Sequence, residues 1–260
     1  MVTSYVSLSS LKALTLSVYT RIVLQLYSAL PVYQYNRMRV ISFVTQKGGS
    51  GKTTLSISCA IAAHEQGEKV LLLDMDSQGT AEAWYQDREA ETPKLSRVDA
   101  STLTRALQAA EQQGFDIVLL DTPGRDEPAT AAAIRASDFC IVPCRPTPGD
   151  MKATPPTIAT IQRLEKPSAF VLTQTPARGA RLMEAETGLS VLGIVSPIRI
   201  VLRNAYQDAQ GMGLGVTEYE PEGKAAEEIR ALWKWIVRKM EKVSHGQEAH
   251  LVDRRARGRD

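Results

Sequence analysis

The chain has 260 residues, a formal net charge of +2, 43% hydrophobic residues and 23% charged residues. This length suits one sizeable α/β domain and is too short for two, and the composition is that of an ordinary globular protein. The near-neutral charge gives no overall basic signature, so net charge alone does not argue for nucleic acid binding. Three cysteines, Cys59, Cys140 and Cys144, lie in apolar segments. They predict small buried side chains in a reducing cytoplasm and no disulfide framework.

The first 37 residues differ from the rest because they contain three basic residues and no acidic one. Arg21 and scattered polar residues interrupt the apolar stretch Ala13–Val32, which argues against a transmembrane helix and against a signal peptide. Met38 opens directly into an apolar run, so two interpretations stay open: a natural start at Met38, or a real, poorly ordered extension. The predicted organisation is an extension at 1–37, one domain at 38–245 and a basic polar tail at 246–260.

Short apolar runs bounded by Gly, Pro or Asp alternate with helical stretches after residue 38. This alternation predicts an α/β fold, a mostly parallel twisted sheet with helices on both faces and ligands at the carboxyl ends of the strands. The predicted strands are Val40–Thr45, Val70–Asp74, Phe115–Asp121, Phe139–Pro143, Ala169–Thr173 and Val191–Val195.

Helical periodicity predicts four helices between these strands and a longer one near the end of the chain. Pro155 and Pro156 should lie in the first turn of the fourth helix or delay its start. The predicted helices are Thr53–Gln66, Ser101–Gln113, Ala129–Ala136, Met151–Leu164 and Glu227–Val243.

A glycine-rich loop, QKGGSGKTT at residues 46–54, follows the first strand and opens the first helix. Gly48, Gly49 and Gly51 let backbone N–H groups converge on an anion, and the helix start adds its positive end. Lys52 can reach the terminal phosphates of a nucleotide, and the Thr53 hydroxyl can hold Mg²⁺. This is the pattern of a phosphate-binding loop.

The loop departs from the usual P-loop pattern at its first position. Gln46 stands where glycine is expected, and an extra lysine, Lys47, follows it. The nucleotide-binding segment is expected to run from Lys47 through Ser50 to Thr54.

Carboxylates end two other predicted strands. Asp121 follows an apolar run in the manner of a Walker B element, where it can orient water on Mg²⁺. Asp74 and Asp76 end the second strand and face the same edge of the sheet. Beside a phosphate loop, Asp76 becomes a candidate for positioning the attacking water, and Asp74 a candidate metal ligand.

At these residues the chain resembles the ParA/MinD group of deviant Walker A ATPases, and most closely the small ParA-type partition proteins. The motifs are KGGSGKTT at the loop, DMDSQG after Asp74, DTPG from Asp121, and the PCRPTPGD segment ending at Asp150. The resemblance runs from about Met38 to about Val243 and departs at Ser77, where the family usually has proline. It implies ATP and Mg²⁺ as cofactors and a weak ATPase activity that a partner stimulates.

The resemblance also gives the extra lysine a role. In this family the corresponding lysine crosses a dimer interface to the phosphates of the partner's ATP, so Lys47 is expected to act in trans and to make dimerisation depend on ATP. Lys47, Lys52 and Asp76 are therefore the expected catalytic residues. Two clustered lysines that face each other without triphosphate would repel, and growing charge on the phosphates would be neutralised across the interface.

ParA relatives bind DNA nonspecifically through basic residues in the C-terminal half. The resemblance thus implies an ATP-dependent homodimer on nucleoid DNA in the cytoplasm, a ParB-like or other cargo adaptor as partner, and no stable insertion into a membrane. Eight basic and four acidic residues follow from Lys234 to the end of the chain. The candidate DNA-binding residues are Arg199, Arg203, Lys234 and Arg238.

A membrane is the alternative output. MinD-like members end in an amphipathic helix, and Glu227–Val243 carries an apolar stripe with basic residues on other faces. The same stripe suits packing against the domain. An iron–sulfur relative is a third class, but Cys140 and Cys144 share one predicted strand and cannot bridge a cluster between subunits.

Overall fold

A parallel sheet of six strands forms the centre of the computed structural model, which describes residues 38–125 and 127–257. All the paired strands run parallel, in the order β3-β2-β4-β1-β5-β6. The chain leaves β1 in one direction to β2 and later crosses to β5 on the other side, so β1 lies at the topological switch point where such sheets bind ligands. The strands are β1 (Arg39–Phe43), β2 (Val70–Asp74), β3 (Lys94–Arg97), β4 (Ile117–Asp121), β5 (Phe139–Cys144) and β6 (Ser168–Leu172).

Helices cover both faces of the sheet, as predicted. Successive strand residues point to opposite faces, so Ile117 and Leu119 of β4 join one core cluster while Val118 and Leu120 join the other. On the first face lie α1 (Lys52–Glu65), α2 (Thr80–Gln86), α7 (Asn204–Gly211), α8 (Val216–Tyr219) and α9 (Lys224–Arg257). On the second lie α3 (Leu103–Gln112), α4 (Glu127–Ala136), α5 (Pro148–Arg163) and α6 (Ala180–Leu192).

One predicted strand is wrong. Val191 and Leu192 end helix α6, and Val195 reaches the sheet only through an isolated bridge to Phe170. Val191 is 83% exposed, and of this apolar run only Val195 packs against the core. A short run rich in Val, Leu and Ile suits the last turn of a helix as well as a strand, and periodicity over five residues does not separate the two.

The predicted place of the two prolines is also wrong. Helix α5 begins at Pro148, which takes the first helical position, and Thr147 caps it by accepting a hydrogen bond from Asp150 N. Pro155 and Pro156 therefore lie inside the helix, where they remove two intrahelical hydrogen bonds. The start signal at Thr147 was stronger than the stop signal of the prolines.

One strand and four helices were not predicted from the sequence: β3, α2, α6, α7 and α8. Strand β3 is a mostly exposed edge strand with the sequence KLSR, and a polar edge strand carries no hydrophobic alternation. The strand conformation of β3 therefore depends on its pairing with β2 in the folded sheet.

Helix α9 is longer than the predicted Glu227–Val243. Its apolar stripe packs into the first core cluster: Ile229, Leu232, Trp233 and Ile236 have no exposed surface. The prediction that this stripe packs on the domain is therefore confirmed at these four side chains. The proposed extension at 1–37 lies outside the described residues, and none of the described helices is long and apolar enough to cross a membrane.

The turn between α7 and α8 is docked against α2. Trp84 is buried and donates a hydrogen bond from Nε1 to the carbonyl of Leu214, and Arg88 Nη1 donates to the carbonyl of Gly213. Gly213 has a φ of +67°, and a Cβ there would lie 2.5 Å from the backbone carbonyl atoms of Asp87. The turn thus depends on a residue without a side chain.

We predict that Gly213→Ala lowers the free energy of unfolding by about 2–4 kcal/mol, because the left-handed backbone and the contact with the Asp87 backbone both oppose a Cβ. Gly211→Ala is the matched control, since a Cβ at Gly211 meets nothing within 4 Å. Urea unfolding of both variants checks the pair. Equal stabilities would contradict this account of the turn.

Candidate functional site

Three neighbouring strands end side by side, and this register builds the candidate site. Asp74 of β2 is paired with Asp121 of β4, and Asp121 is paired with Phe43 of β1. Neighbouring strands lie about 4.8 Å apart, so two carboxylates and the start of the glycine-rich loop share one edge. The prediction that Asp74 and Asp121 face the same edge as the loop is confirmed by this pairing.

Residues after β6 hold the loop from outside. Thr173 Oγ1 donates to the carbonyl of Ser50 at 2.7 Å, and Gln174 Nε2 donates to the carbonyl of Gly49 at 2.9 Å. Gly49 and Gly51 have φ values of +72° and +93°, a region that disfavours side chains. Because these two hydrogen bonds hold the carbonyls of Ser50 and Gly49, the loop backbone can form a cradle for an anion at the N-terminus of α1.

Lys52 is the first residue of α1 and is buried beneath the loop. Its Nζ donates to the carbonyl of Lys47 at 3.3 Å, and a Cβ on Gly124 would lie 3.3 Å from the same nitrogen. Burial lowers the pKa of Lys52, while Asp121 and Asp76 act in the opposite direction. The ammonium group is thus held against the loop backbone and is attracted by two nearby carboxylates.

Asp121 is fully buried, and neither carboxylate oxygen has a hydrogen-bond partner of good geometry among the described residues. Burial raises the pKa of Asp121 to about 7, although the nearby Thr53 hydroxyl and Lys52 favour the charged form. The Ser50 hydroxyl is likewise buried without a partner in the described part of the chain. Such unpartnered oxygens beside an anion cradle fit a hydrated Mg²⁺, which accepts few protein ligands and keeps several waters.

The two carboxylates of the DMD segment have different surroundings. Asp74 is buried, and its oxygens accept hydrogen bonds from the backbone N–H groups of Asp76 and Glu82 at 2.9 and 3.1 Å. It therefore clamps the start of α2, and its role as a metal ligand stays a prediction. Asp76 is partly exposed and lines an open cleft of about 760 Å³ with Gly48 and Gly124. A water bound in this cleft would lie beside Asp76 and the loop.

Gln46, the residue that departs from the P-loop pattern, is used structurally. Its backbone N–H donates to Thr157 Oγ1 of α5 at 3.3 Å, and the N–H of Lys47 donates to Thr45 Oγ1 at 3.4 Å. The peptide between strand and cradle is anchored to α5, and Lys47, which follows it, is partly exposed. The prediction that Lys47 acts across a dimer interface is not tested by a single chain.

Arg145 belongs to the segment that resembles the family loop, but sequence reasoning gave it no role. Its Nε and Nη2 donate to the two oxygens of Asp150 at 3.0 Å each. Its Nη1 would lie 3.7 Å from a Cβ on Gly49. A guanidinium fixed by a carboxylate thus borders the phosphate loop, and the spacing of Arg145 and Asp150 was the signal for it.

A second, smaller cleft of about 110 Å³ lies beside the loop and was also missed. Gly51, Thr54 and Gln174 form one side of it, and the segment 200–203 with Tyr206 of α7 forms the other. No sequence motif indicated these residues, because α7 and the segment before it become neighbours of the loop only in the fold.

The candidate DNA-binding residues do not form one free basic surface. Arg199 pairs with Glu186 at 2.7 Å, and Arg203 pairs with Glu228 and lines the smaller cleft. Lys234 and Arg238 are exposed on α9, and Arg238 Nε donates to the carbonyl of Lys234. The structure therefore brings together only the two α9 candidates.

Comparisons with known proteins agree with this geometry. The model of the CobQ/CobB/MinD/ParA nucleotide binding domain matches residues 41–210. Maintenance of carboxysome distribution protein A of Gloeobacter kilaueensis is 29% identical over 211 residues, covering 78% of this chain and 94% of that protein. Sporulation initiation inhibitor protein Soj of Bacillus subtilis is 25% identical over 251 residues, covering 85% of this chain and 93% of that protein.

The fold is similar to that of the septum site-determining protein MinD complexed with Mg-ADP from Pyrococcus horikoshii. The TM-score is 0.62 at 19% sequence identity, and the likeness covers 76% of this chain and 96% of that chain. The range matched by the domain model contains the loop, the DMD segment and Asp121.

We predict that, in the absence of Mg²⁺ and nucleotide, the buried Asp121 makes the free energy of unfolding fall as pH rises from about 4 to about 7. Across that range the folded state retains the Asp121 proton that the unfolded state has released, so the folded state binds more protons. Asp121→Asn should remove this contribution. Its advantage over the parent protein should therefore grow with pH, by a few kcal/mol, and level off above about pH 7.

Urea unfolding at several pH values measures the difference. Asp208→Asn, which changes an exposed carboxyl on α7, should follow the parent protein at every pH. A difference between Asp121→Asn and the parent that shrinks with rising pH would contradict the burial of a protonated Asp121.

Proposed function

Because the chain belongs to the CobQ/CobB/MinD/ParA nucleotide-binding family, we propose that it is a ParA-like ATPase that partitions or positions DNA or another large cargo. The observation that carries the proposal is the single sheet edge where the cradle, the buried Lys52 and the unpartnered Asp121 meet. The family predicted from the loop and carboxylate motifs is confirmed. The details of the cycle below are our proposal.

The loop is proposed to bind the phosphates of ATP. The N–H groups from Gly48 to Thr54 surround the anion, and Lys52 neutralises the terminal phosphates from a buried position where its charge is weakly screened. Thr53 and Asp121 would hold Mg²⁺, Asp121 through water, and the ion would supply charge neutralisation at the phosphates. The smaller cleft beside Gly51 and Thr54 would take the nucleoside.

Hydrolysis requires a placed water and a second cation. Asp76 lines the open cleft next to Gly48 and is proposed to orient the attacking water. Lys47, which is partly exposed in the loop, is proposed to reach the phosphates bound by a second copy in an ATP-dependent sandwich dimer. The second copy would complete the charge neutralisation, so hydrolysis would be slow until a cargo adaptor favours the closed dimer.

The proposed output is nonspecific binding of nucleoid DNA by the dimer. Lys234 and Arg238 support it because they are exposed, whereas Arg199 and Arg203 are engaged by carboxylates. A dimer would present two copies of this surface, and the second copy gains from effective concentration.

The MinD-like alternative requires an apolar surface for lipid. The apolar stripe of α9 is packed into the core between residues 229 and 240, so these side chains support packing and not insertion. The packing of this stripe argues against its insertion into lipid.

We predict that Lys52→Ala abolishes ATP binding, because it removes the buried cation under the cradle. Lys47→Ala should leave ATP binding by the monomer largely intact and prevent ATP-dependent dimerisation and hydrolysis. Nucleotide titration and light scattering measure the two effects separately.

Lys224→Ala is the matched control, since it removes an exposed lysine at the start of α9 and should change neither quantity. A Lys47→Ala protein that dimerises with ATP as the parent does would disprove the role of Lys47 in trans.

We predict that the ATP-loaded protein binds unrelated duplex DNA and that ADP abolishes this binding. Interactions with phosphate carry no base information, and each DNA phosphate that the protein no longer neutralises should flatten the slope of log K against log salt by roughly 0.9. The double variant Lys234→Glu/Arg238→Glu should therefore weaken DNA binding and flatten the slope, without a change in ATP affinity.

The double variant Arg135→Glu/Arg163→Glu makes the same change of charge on exposed residues of α4 and α5, on the other face of the sheet, and serves as control. Fluorescence anisotropy with labelled duplexes measures both variants. ATP-dependent sedimentation with anionic liposomes, without any ATP-dependent binding of DNA, would favour the MinD-like function instead.

A further inference from the structure

One carboxylate on α9 organises the wall of the smaller cleft. Glu228 Oε1 accepts hydrogen bonds from Nε and Nη2 of Arg203, and Oε2 accepts from the backbone N–H of Val201 at 3.2 Å. The Tyr206 hydroxyl lies 3.2 Å from Oε2 and 3.3 Å from the carbonyl of Ala225. Glu228 itself is only 15% exposed. Arg203, Val201 and Tyr206 all line the cleft, whereas Glu228 does not.

This arrangement fixes the groups that a nucleoside would meet. Two of the three guanidinium nitrogens of Arg203 are bound by Glu228, so the plane of the group is set, and a planar guanidinium stacks on aromatic rings. Burial and the nearby Glu228 raise the pKa of Tyr206, so the phenol stays a neutral donor. The opposite side of the cleft is the phosphate loop itself, at Gly51 and Thr54.

We infer that Glu228 is a positioning residue for nucleoside recognition: it holds Arg203, Tyr206 and the segment 200–203 against the base and ribose of the bound nucleotide. The inference rests on the proposed function, since it assumes that the phosphate loop binds a nucleoside triphosphate. It also assigns Arg203, a predicted DNA-binding residue, to the nucleotide. Glu228 acts on the nucleoside half of the ligand only, because its partners do not belong to the cradle.

The chain offers a matched control nearby. Arg199, four residues before Arg203, forms another arginine–glutamate pair with Glu186, at 2.7 Å. Neither residue lines the cleft. A change to Glu186 perturbs a more exposed arginine–glutamate pair, anchored on α6 at the other face of the sheet, without touching the wall.

The experiment compares Mg-ATP with Mg-tripolyphosphate, which fills the cradle and has no nucleoside. In the full chain, Glu228→Gln should weaken ATP binding by about tenfold or more, the scale of losing hydrogen bonds to a charged group. Tripolyphosphate binding should stay at the parent level. Glu186→Gln should change neither ligand. Calorimetric titration gives the affinities, and a thermal unfolding scan of each variant shows whether it is folded.

A merely structural role would lower the affinity for both ligands together, or lower the unfolding temperature alone, and either result would overturn the inference. Arg203→Gln provides a second variant, since it removes the other half of the pair and leaves Glu228 with Val201 and Tyr206. It should reproduce the selective loss of ATP affinity.

Hydrogen exchange gives a readout that does not depend on tripolyphosphate affinity. Saturating ATP should slow amide exchange over residues 200–207 in the parent protein and in Glu186→Gln, and much less in Glu228→Gln. Equal protection in Glu228→Gln would overturn the inference and leave the proposed function intact. If instead the parent protein binds ATP no better than Lys52→Ala does, the proposed function itself fails.

Discussion

The parallel pairing of β2, β4 and β1 is the constraint on which the site depends. Strands that run in the same direction and pair in register must present their carboxyl ends at one edge. Asp74, Asp121 and Phe43, which lies three residues before the glycine-rich loop, are therefore neighbours, although about 80 residues separate β1 from β4 in the chain. Hydrophobic packing on both faces of the sheet maintains this register, because a slip by one residue would turn each buried side chain to the other face.

The same register places two ionisable side chains, Lys52 and Asp121, in the buried interior. Lys52 and Asp121 are buried, and both pKa shifts arise first from burial. A carboxylate without a hydrogen-bond partner is costly in a folded protein, and such groups are usually retained where a ligand completes them. The burial of these ionisable groups thus costs free energy in the fold, and bound phosphates and a cation would offset that cost.

Helix α9 connects three parts of the molecule. One face packs Trp233 and its neighbours into the core, Glu228 holds the wall of the smaller cleft, and Lys234 and Arg238 face outward. Because the packed face fixes the helix, the position of the cleft wall and that of the basic residues are linked through one rigid element. Loss of core packing would therefore disturb the nucleoside wall as well as the proposed DNA surface.

Local pattern determined much of the fold and the main parts of the site. Buried strands of a parallel sheet have apolar runs bounded by Gly, Pro or Asp, so β2, β4 and β5 were predictable, and so was the loop between β1 and α1. The spacing of Gly51, Lys52 and Thr53 indicated phosphate binding, because that chemistry needs backbone N–H groups, a cation and a hydroxyl in immediate succession.

Only the tertiary structure decided the features that depend on distant partners. The edge strand β3 has no hydrophobic pattern of its own, and the apolar residues Val191 and Leu192 end helix α6, where both are exposed. Whether a basic residue is available to a ligand also depends on its neighbours in the fold. Arg203 and Lys234 were both predicted to bind DNA, yet Arg203 pairs with Glu228 whereas Lys234 is exposed. The basic residues can be counted from the sequence, but the carboxylate that pairs with each of them depends on which residues the fold brings together.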